Sequence, residues 1–226
     1  MSAEKKKKSK RLAQEVMSFI KSFPLAAIGG AIVLFFVLIS VFAPQVAPQD
    51  PNKMNLQHAL EAPGPEFLLG TDYSGRDMLS RLVYGARISL FISLASVLLG
   101  AVVGVFLGVT GAWFRRLQTP IMRLMDIMLS FPSIIVALTI IAILGSGIKN
   151  LIIAIAVYNI PVFARIAFGQ TLSVKNLTYI EAAITLGAKN GRILLRHILP
   201  NIIAPVIVQF TLVLPRAIML TAGLSF

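Results

Sequence analysis

The chain alternates long apolar runs with shorter basic or mixed segments. Five runs, at about residues 23–43, 88–113, 125–144, 148–168 and 202–226, are nearly free of charge. A helix needs roughly 20 residues to cross a hydrocarbon core about 30 Å thick, so each run is long enough to span. Isolated strands would leave backbone groups unpaired in lipid, and none of the runs alternates as barrel strands do. The pattern predicts an all-α fold, a polytopic transmembrane helical bundle with five spans.

The segments between the runs divide the rest of the chain. Residues 1–22 form a basic tail in which Leu12, Val16, Phe19, Ile20 and Phe23 recur at helical spacing. That spacing suits a short helix lying on the inner membrane surface, the alternative being a disordered basic leader. The first apolar run exceeds a secretory h-region, and no clean small-x-small cleavage site follows in Ala43-Pro44-Gln45, so it reads as a retained anchor. Residues 44–87 are an extracytoplasmic loop, and residues 88–226 hold the other four spans with a long connection at 169–200.

Composition strengthens the membrane reading. Hydrophobic residues make up 57% of the 226, charged residues 13%, and mean hydropathy is +0.84. A soluble domain sits nearer about 45–50% and 25%. The formal net charge of +12 would point a soluble protein toward nucleic acid. Here the basic residues flank apolar runs instead, so lipid is the expected contact and no nucleic acid partner is implied. With the N-terminus inside, 15 of the 21 Lys and Arg fall on the inner side, among them Lys5, Lys6, Lys7, Lys8, Arg115, Arg116, Lys189, Arg192 and Arg196. The first outer loop carries five acids against four bases. A cytoplasmic N-terminus follows.

Little in the chain suggests catalysis. Having no cysteine, it makes no disulfide, thiolate metal site or cysteine nucleophile. His58 and His197 are too far apart in sequence for a recognisable metal motif, so neither catalytic residues nor a metal site are expected. A membrane enzyme would want paired carboxylates or a nucleophile with its base, and the one acid near membrane depth is Asp126. A stand-alone secondary transporter would more often show inverted repeats and several ionisable residues within its spans, and no convincing repeat is visible.

Four segments carry more information. Ser96, Gly100, Gly104, Gly108 and Ala112 recur every four residues, a face on which another helix backbone can approach closely. Pro132, Pro161, Pro205 and Pro215 fall within spans and predict kinks; nearby Asn159, Gln209 and Arg216 are the candidates for a translocation path. In the outer loop, Gly70-Thr71-Asp72 and Gly75-Arg76-Asp77 combine turn formers with charge, which predicts an ordered surface. In the inner loop, Tyr179-Ile180-Glu181-Ala182-Ala183-Ile184-Thr185-Leu186-Gly187 reads as a short helix stopped by its glycine, with Glu181 near its start and two alanines offering a slim face.

Glu181-Ala182-Ala183, then Gly187, then Leu199-Pro200 a dozen residues on, resemble the cytoplasmic loop of binding-protein-dependent ABC importer permeases. Gly70 to Asp77, Ser80-Arg81, Gly85-Ala86-Arg87-Ile88-Ser89-Leu90, Asp126 to Pro132 and Arg196 to Asn201 resemble the dipeptide and oligopeptide branch, which also includes nickel and glutathione importers, and within it the C-type subunit. His197 stands where the broad family has Ile, and members often carry an acid near Thr221. The resemblance implies a permease core at 88–226 with an ATPase-coupling loop at 169–200, and a sixth span that the 226 residues do not include. It implies that Glu181, Ala182, Ala183, Gly187, Leu199 and Pro200 serve a helix that docks on an ATP-hydrolysing subunit. The implied partners are a second, B-type permease, one or two ATP-binding subunits holding ATP and Mg, and an extracytoplasmic peptide-binding protein. No Gly-rich phosphate loop exists in this chain, so it binds no cofactor itself. The implied setting is a bacterial or archaeal cell (inner) membrane.

Overall fold

The computed structural model describes residue 18 and residues 22–224, and all of the regular structure within them is helical apart from one isolated bridge. The expected inner-surface helix at 11–23 lies, for most of its length, outside the described residues. The described residues form two compact units, which part between residues 88 and 89.

In the first unit, α1 (Pro24–Val41) begins on a proline whose fixed φ suits the first helical position and whose missing N–H would be unpaired there anyway. Its 18 residues rise about 27 Å, enough for a membrane crossing. A four-residue helix, α2 (Ala43–Val46), and a 3₁₀ turn (Leu56–His58) follow. The outer connection is shorter than expected, because α3 (Met78–Trp113) already starts at Met78. Asp77 sets that start: its Oδ2 accepts the Ser80 N–H at 2.8 Å, as an N-cap carboxylate does.

In the second unit, α6 (Ile148–Lys175) is the hub, packing against α4 (Arg115–Ser130), α5 (Ser133–Leu144) and α9 (Leu199–Leu224). It also meets α3 along the small-residue stripe. A methyl added to Gly104 would lie 2.5 Å from the Ile160 carbonyl oxygen, and one added to Gly108 would lie 2.3 Å from that of Ala164. The helix backbones touch because those glycines have no side chain. One apolar cluster joins Ile92, Val97 and Ala101 of α3 to Ile155 and Phe163 of α6 and Val213 and Ala217 of α9. Buried Ser93 and Thr221 share a hydrogen bond of 3.1 Å between α3 and α9.

The third expected span, 125–144, is not one helix. α4 and α5 meet at 95° across Phe131 and Pro132, both extended. Pro132 has no N–H to give and pushes Phe131 out of the helical region, so the helix stops there. The portion before the break carries Arg115, Arg116, Arg123 and Asp126 and is strongly amphipathic rather than apolar throughout. Among the described residues four helices are long and apolar enough to cross a membrane, five if this bent pair counts as one broken span. By contrast α6 runs through Pro161, and α9 through Pro205 and Pro215, without interruption. The turn from α5 to α6 uses Gly145 and Gly147 at positive φ, and Asn150 Nδ2 donates to the Leu144 and Gly145 carbonyls at 2.8 and 3.0 Å.

Candidate functional site

The connection read as 169–200 is mostly helix. Its first seven residues finish α6, and after Asn176 and Leu177 comes α7 (Thr178–Thr185), then α8 (Asn190–Ile193), a π turn (Leu194–Ile198) and the start of α9. Eight residues cannot sustain a helix in water unaided. Ile180 supplies the anchor, fully buried among Val109, Trp113, Ala167, Val174, Ile193, Ile198 and Ile202. Tyr179 adds a tie: its hydroxyl accepts Asn201 Nδ2 at 3.2 Å, and its ring lies 6.0 Å from that of His197.

The end of α7 is a Schellman turn. Gly187 N–H donates to the Ile184 carbonyl at 2.9 Å, and Ala188 N–H reaches back to Ala183 at 3.0 Å. Gly187 has φ of +79°, with open space where a Cβ would stand. Backbone conformation alone demands glycine there. Ala188, half-buried, packs on the cluster holding Ile180.

With Ile180 turned inward, Glu181, Ala182, Ile184, Thr185 and Leu186 face outward, Leu186 at 87% exposure. Ala183 is half-buried, so the slim face expected of the alanine pair is formed by Ala182 and not by both. Leu199 and Pro200 are exposed at the first turn of α9. Sequence reasoning missed Ile180 as the anchor and Leu186 as the most exposed large apolar side chain of this segment. The lone large apolar residue between Tyr179 and Glu181 was the available signal for the first; nothing in the sequence signalled the second.

Lys175 was also missed. From the last turn of α6 its Nζ donates to the carbonyls of Ala112 and Trp113 at 3.3 and 3.2 Å and lies 5.2 Å from the centre of the Trp113 ring. A cation here satisfies the free carbonyls at the C-terminus of α3. On α4, Asp126 accepts Arg165 of α6 at 2.5 Å, both half exposed.

The outer-loop residues Gly70, Thr71, Asp72, Gly75, Arg76 and Asp77 are brought together in one knot. Thr71 and Asp77 form an antiparallel bridge, and the buried Asp72 carboxylate sits between them. Its Oδ1 accepts Ser74 and Arg76 N–H at 2.8 and 3.0 Å; its Oδ2 accepts Arg76 Nε at 2.8 Å and the Arg81 guanidinium. Burial alone would raise its pKa. The two backbone N–H groups and the Arg76 guanidinium outweigh it, and the pKa falls from 3.8 to about 2. The same hydrogen bond holds Arg76 above its ordinary value. Gly70 and Gly75 have positive φ, and a methyl on Gly75 would overlap the Asn55 carbonyl at 1.7 Å.

The translocation-path candidates divide. Asn159 is buried at the α3–α6 contact beside Gly100, its Nδ2 donating to Ile155 of its own helix at 2.9 Å. Gln209 is half-buried and Arg216 exposed, two turns apart on one side of α9. An open groove of about 610 Å³ between α3 and α9 is lined by hydrocarbon such as Phe106, Leu194, Ile203 and Phe210. Its Thr110 hydroxyl donates to the Phe106 and Leu107 carbonyls of its own helix. Among the described residues no cluster of His, Asp or Glu could hold a metal ion.

A multi-span helical bundle with a short helix pinned at one end defines a polytopic membrane protein. Residues 100–226 match the family of binding-protein-dependent transport system inner membrane components, and residues 12–63 match the N-terminal transmembrane domain of oligopeptide transport permease C. The chain is similar to the dipeptide transport system permease protein DppC of Alkalihalophilus pseudofirmus, 41% identical over 94% of this chain and 70% of that protein. The di/tripeptide transport system permease protein DppC of Pseudomonas aeruginosa is 42% identical over 88% of this chain and 69% of its own length. The glutathione transport system permease protein GsiD of Pectobacterium atrosepticum is 38% identical over 89% and 68%. The chain belongs to the binding-protein-dependent ABC permease family and is a multi-pass integral membrane protein.

Proposed function

We propose that the chain forms half of the translocation pathway of an ATP-driven importer of di- and oligopeptides. The observation that carries this reading is α7: a helix too short to stand alone, fixed to the bundle by Ile180 and presenting Glu181, Ala182 and Leu186 outward. That is the geometry of a handle, through which a soluble subunit moves the helices behind it. In this reading 169–200 is the coupling loop and Glu181, Ala182, Ala183, Gly187, Leu199 and Pro200 serve it. One or two separate ATP-binding subunits hold ATP and Mg; a B-type permease completes the pathway, lined in part by Gln209 and Arg216. An external binding protein delivers the peptide. The N-terminus and α7 face the cytoplasm of a bacterial or archaeal cell, as the distribution of basic residues favours. Peptide as cargo is favoured over glutathione or nickel by the names of the similar permeases.

The test is uptake of a radiolabelled dipeptide into proteoliposomes holding the full complex, with the binding protein outside the membrane relative to α7. ATP-dependent accumulation that needs the binding protein supports the reading. Accumulation without ATP, or of nickel alone, overturns it.

A further inference from the structure

Leu60 is the only non-glycine residue with positive φ among those described, at +57°, and its side chain is 75% exposed. A leucine in the left-handed region is strained, and such strain persists only where the surroundings over-determine it. They do so here. Leu60 N–H donates to the Asp72 carbonyl at 3.1 Å, Glu61 N–H donates to Thr71 Oγ1 at 2.9 Å, and Thr71 N–H returns to the Glu61 carbonyl at 3.0 Å. The Thr71 hydroxyl in turn donates to the His58 carbonyl. Asp72, which receives Leu60, is itself locked by Ser74, Arg76 and Arg81. A polar frame thus holds a leucine outward. The loop does not need Leu60 for its own interior, because Phe67 fills that role, buried against the His58 ring at 5.4 Å. Leu56 and Tyr73 on the same connection are likewise about three-quarters exposed.

We infer that Leu60 is a preformed apolar contact for the extracytoplasmic binding protein; this rests on the function proposed above. Two observations select that occupant. In the proposed topology the outward connections among the described residues are 42–77 and the turn at 145–147, and three residues offer no docking surface. The apolar side chains also stand among exposed Asp50, Lys53, Glu61 and Glu66, which oppose insertion into lipid and match the apolar-centre, polar-rim anatomy of a protein interface.

The experiment places a photoreactive benzophenone side chain at Leu60 in intact cells carrying the whole transporter, and identifies the cross-linked product by mass spectrometry. An exported binding protein encoded with the permease is the expected product; lipid, the second permease or no product overturns the inference. Leu60→Gly is the companion variant, since glycine accepts this φ without strain. Amide protection across residues 69–77 should be kept or increased, while stimulation of ATP hydrolysis by the binding protein falls at least tenfold. Equal stimulation of Leu60→Gly and wild type overturns the inference and leaves the function standing. A wild-type complex that no binding protein stimulates instead overturns the function.

Discussion

Adding one methyl group at Gly108 tests the packing on which the bundle depends. The new Cβ would lie 2.3 Å from the Ala164 carbonyl oxygen, 0.7 Å inside the 3.0 Å below which real Cβ contacts essentially never occur. It would also lie 2.9 Å from Ala167 Cβ and from Phe168 N, so both helices must separate. Overpacking of this kind costs about 1–3 kcal/mol. Alanine's better helix propensity returns up to about 1 kcal/mol. Gly108→Ala should therefore destabilise the bundle by up to about 2 kcal/mol. Gly169→Ala, with open space around its Cβ, should be neutral or stabilising by up to about 1 kcal/mol. The helix-propensity gain is common to both sites, so the same chemical change at the two helical glycines differs by roughly 1–3 kcal/mol, about 5- to 150-fold in the unfolding equilibrium. Gly104→Ala added to Gly108→Ala should cost less than its own single change, because one separation of the helices relieves both contacts. Reversible unfolding of the full chain in bicelles by steric trapping measures all four. If Gly108→Ala is as stable as Gly169→Ala, the close α3–α6 contact is wrong.

Gly187→Ala meets no steric obstacle and should cost only the left-handed conformation, about 1–2 kcal/mol confined to the end of α7, seen as faster amide exchange at Gly187 and Ala188 with unfolding elsewhere unchanged. Lys175→Gln should loosen the C-terminus of α3 by roughly 1–2 kcal/mol; because Trp113 is the sole tryptophan, a red-shifted emission reports it directly, and an unchanged spectrum speaks against the contact. Asp72 has its folded pKa below the unfolded value, so its contribution to the outer loop is complete above about pH 4 and is lost as pH falls toward 2. Amide protection of residues 69–77 should follow that window, and Asp72→Asn should remove the dependence.

How far the sequence foretold this structure depended on whether the deciding contact was local. Gly100, Gly104 and Gly108 were legible as a close-packing face because four-residue spacing is a property of one helix, although the sequence did not name α6 as the partner. Gly187 was legible for the same reason, since a glycine after a short helical stretch is a local stop signal. Pro132 predicts a kink but not its size, because the 95° bend also depends on how α4 meets α6, where Asp126 pairs with Arg165. Asn159 stands out in the sequence as a polar residue near a proline within a span, but the sequence does not say that its amide donates to the Ile155 carbonyl or that its stem lies beside Gly100. The reach of Lys175 to Trp113 and the docking of Ile180 into the α3 cluster join residues more than sixty positions apart, and no local pattern encodes them.

In the proposed function the exposed face of α7 receives the ATP-hydrolysing subunit. Leu186→Asp places a charge on the most exposed large apolar side chain of that face without touching the Ile180 anchor. The whole transporter is expressed with an affinity tag on this chain, and the ATP-binding subunits and second permease recovered with it are quantified. At least a tenfold loss of ATP-binding subunits is expected, with recovery of the second permease unchanged. Wild-type recovery of the ATP-binding subunits with Leu186→Asp would contradict it.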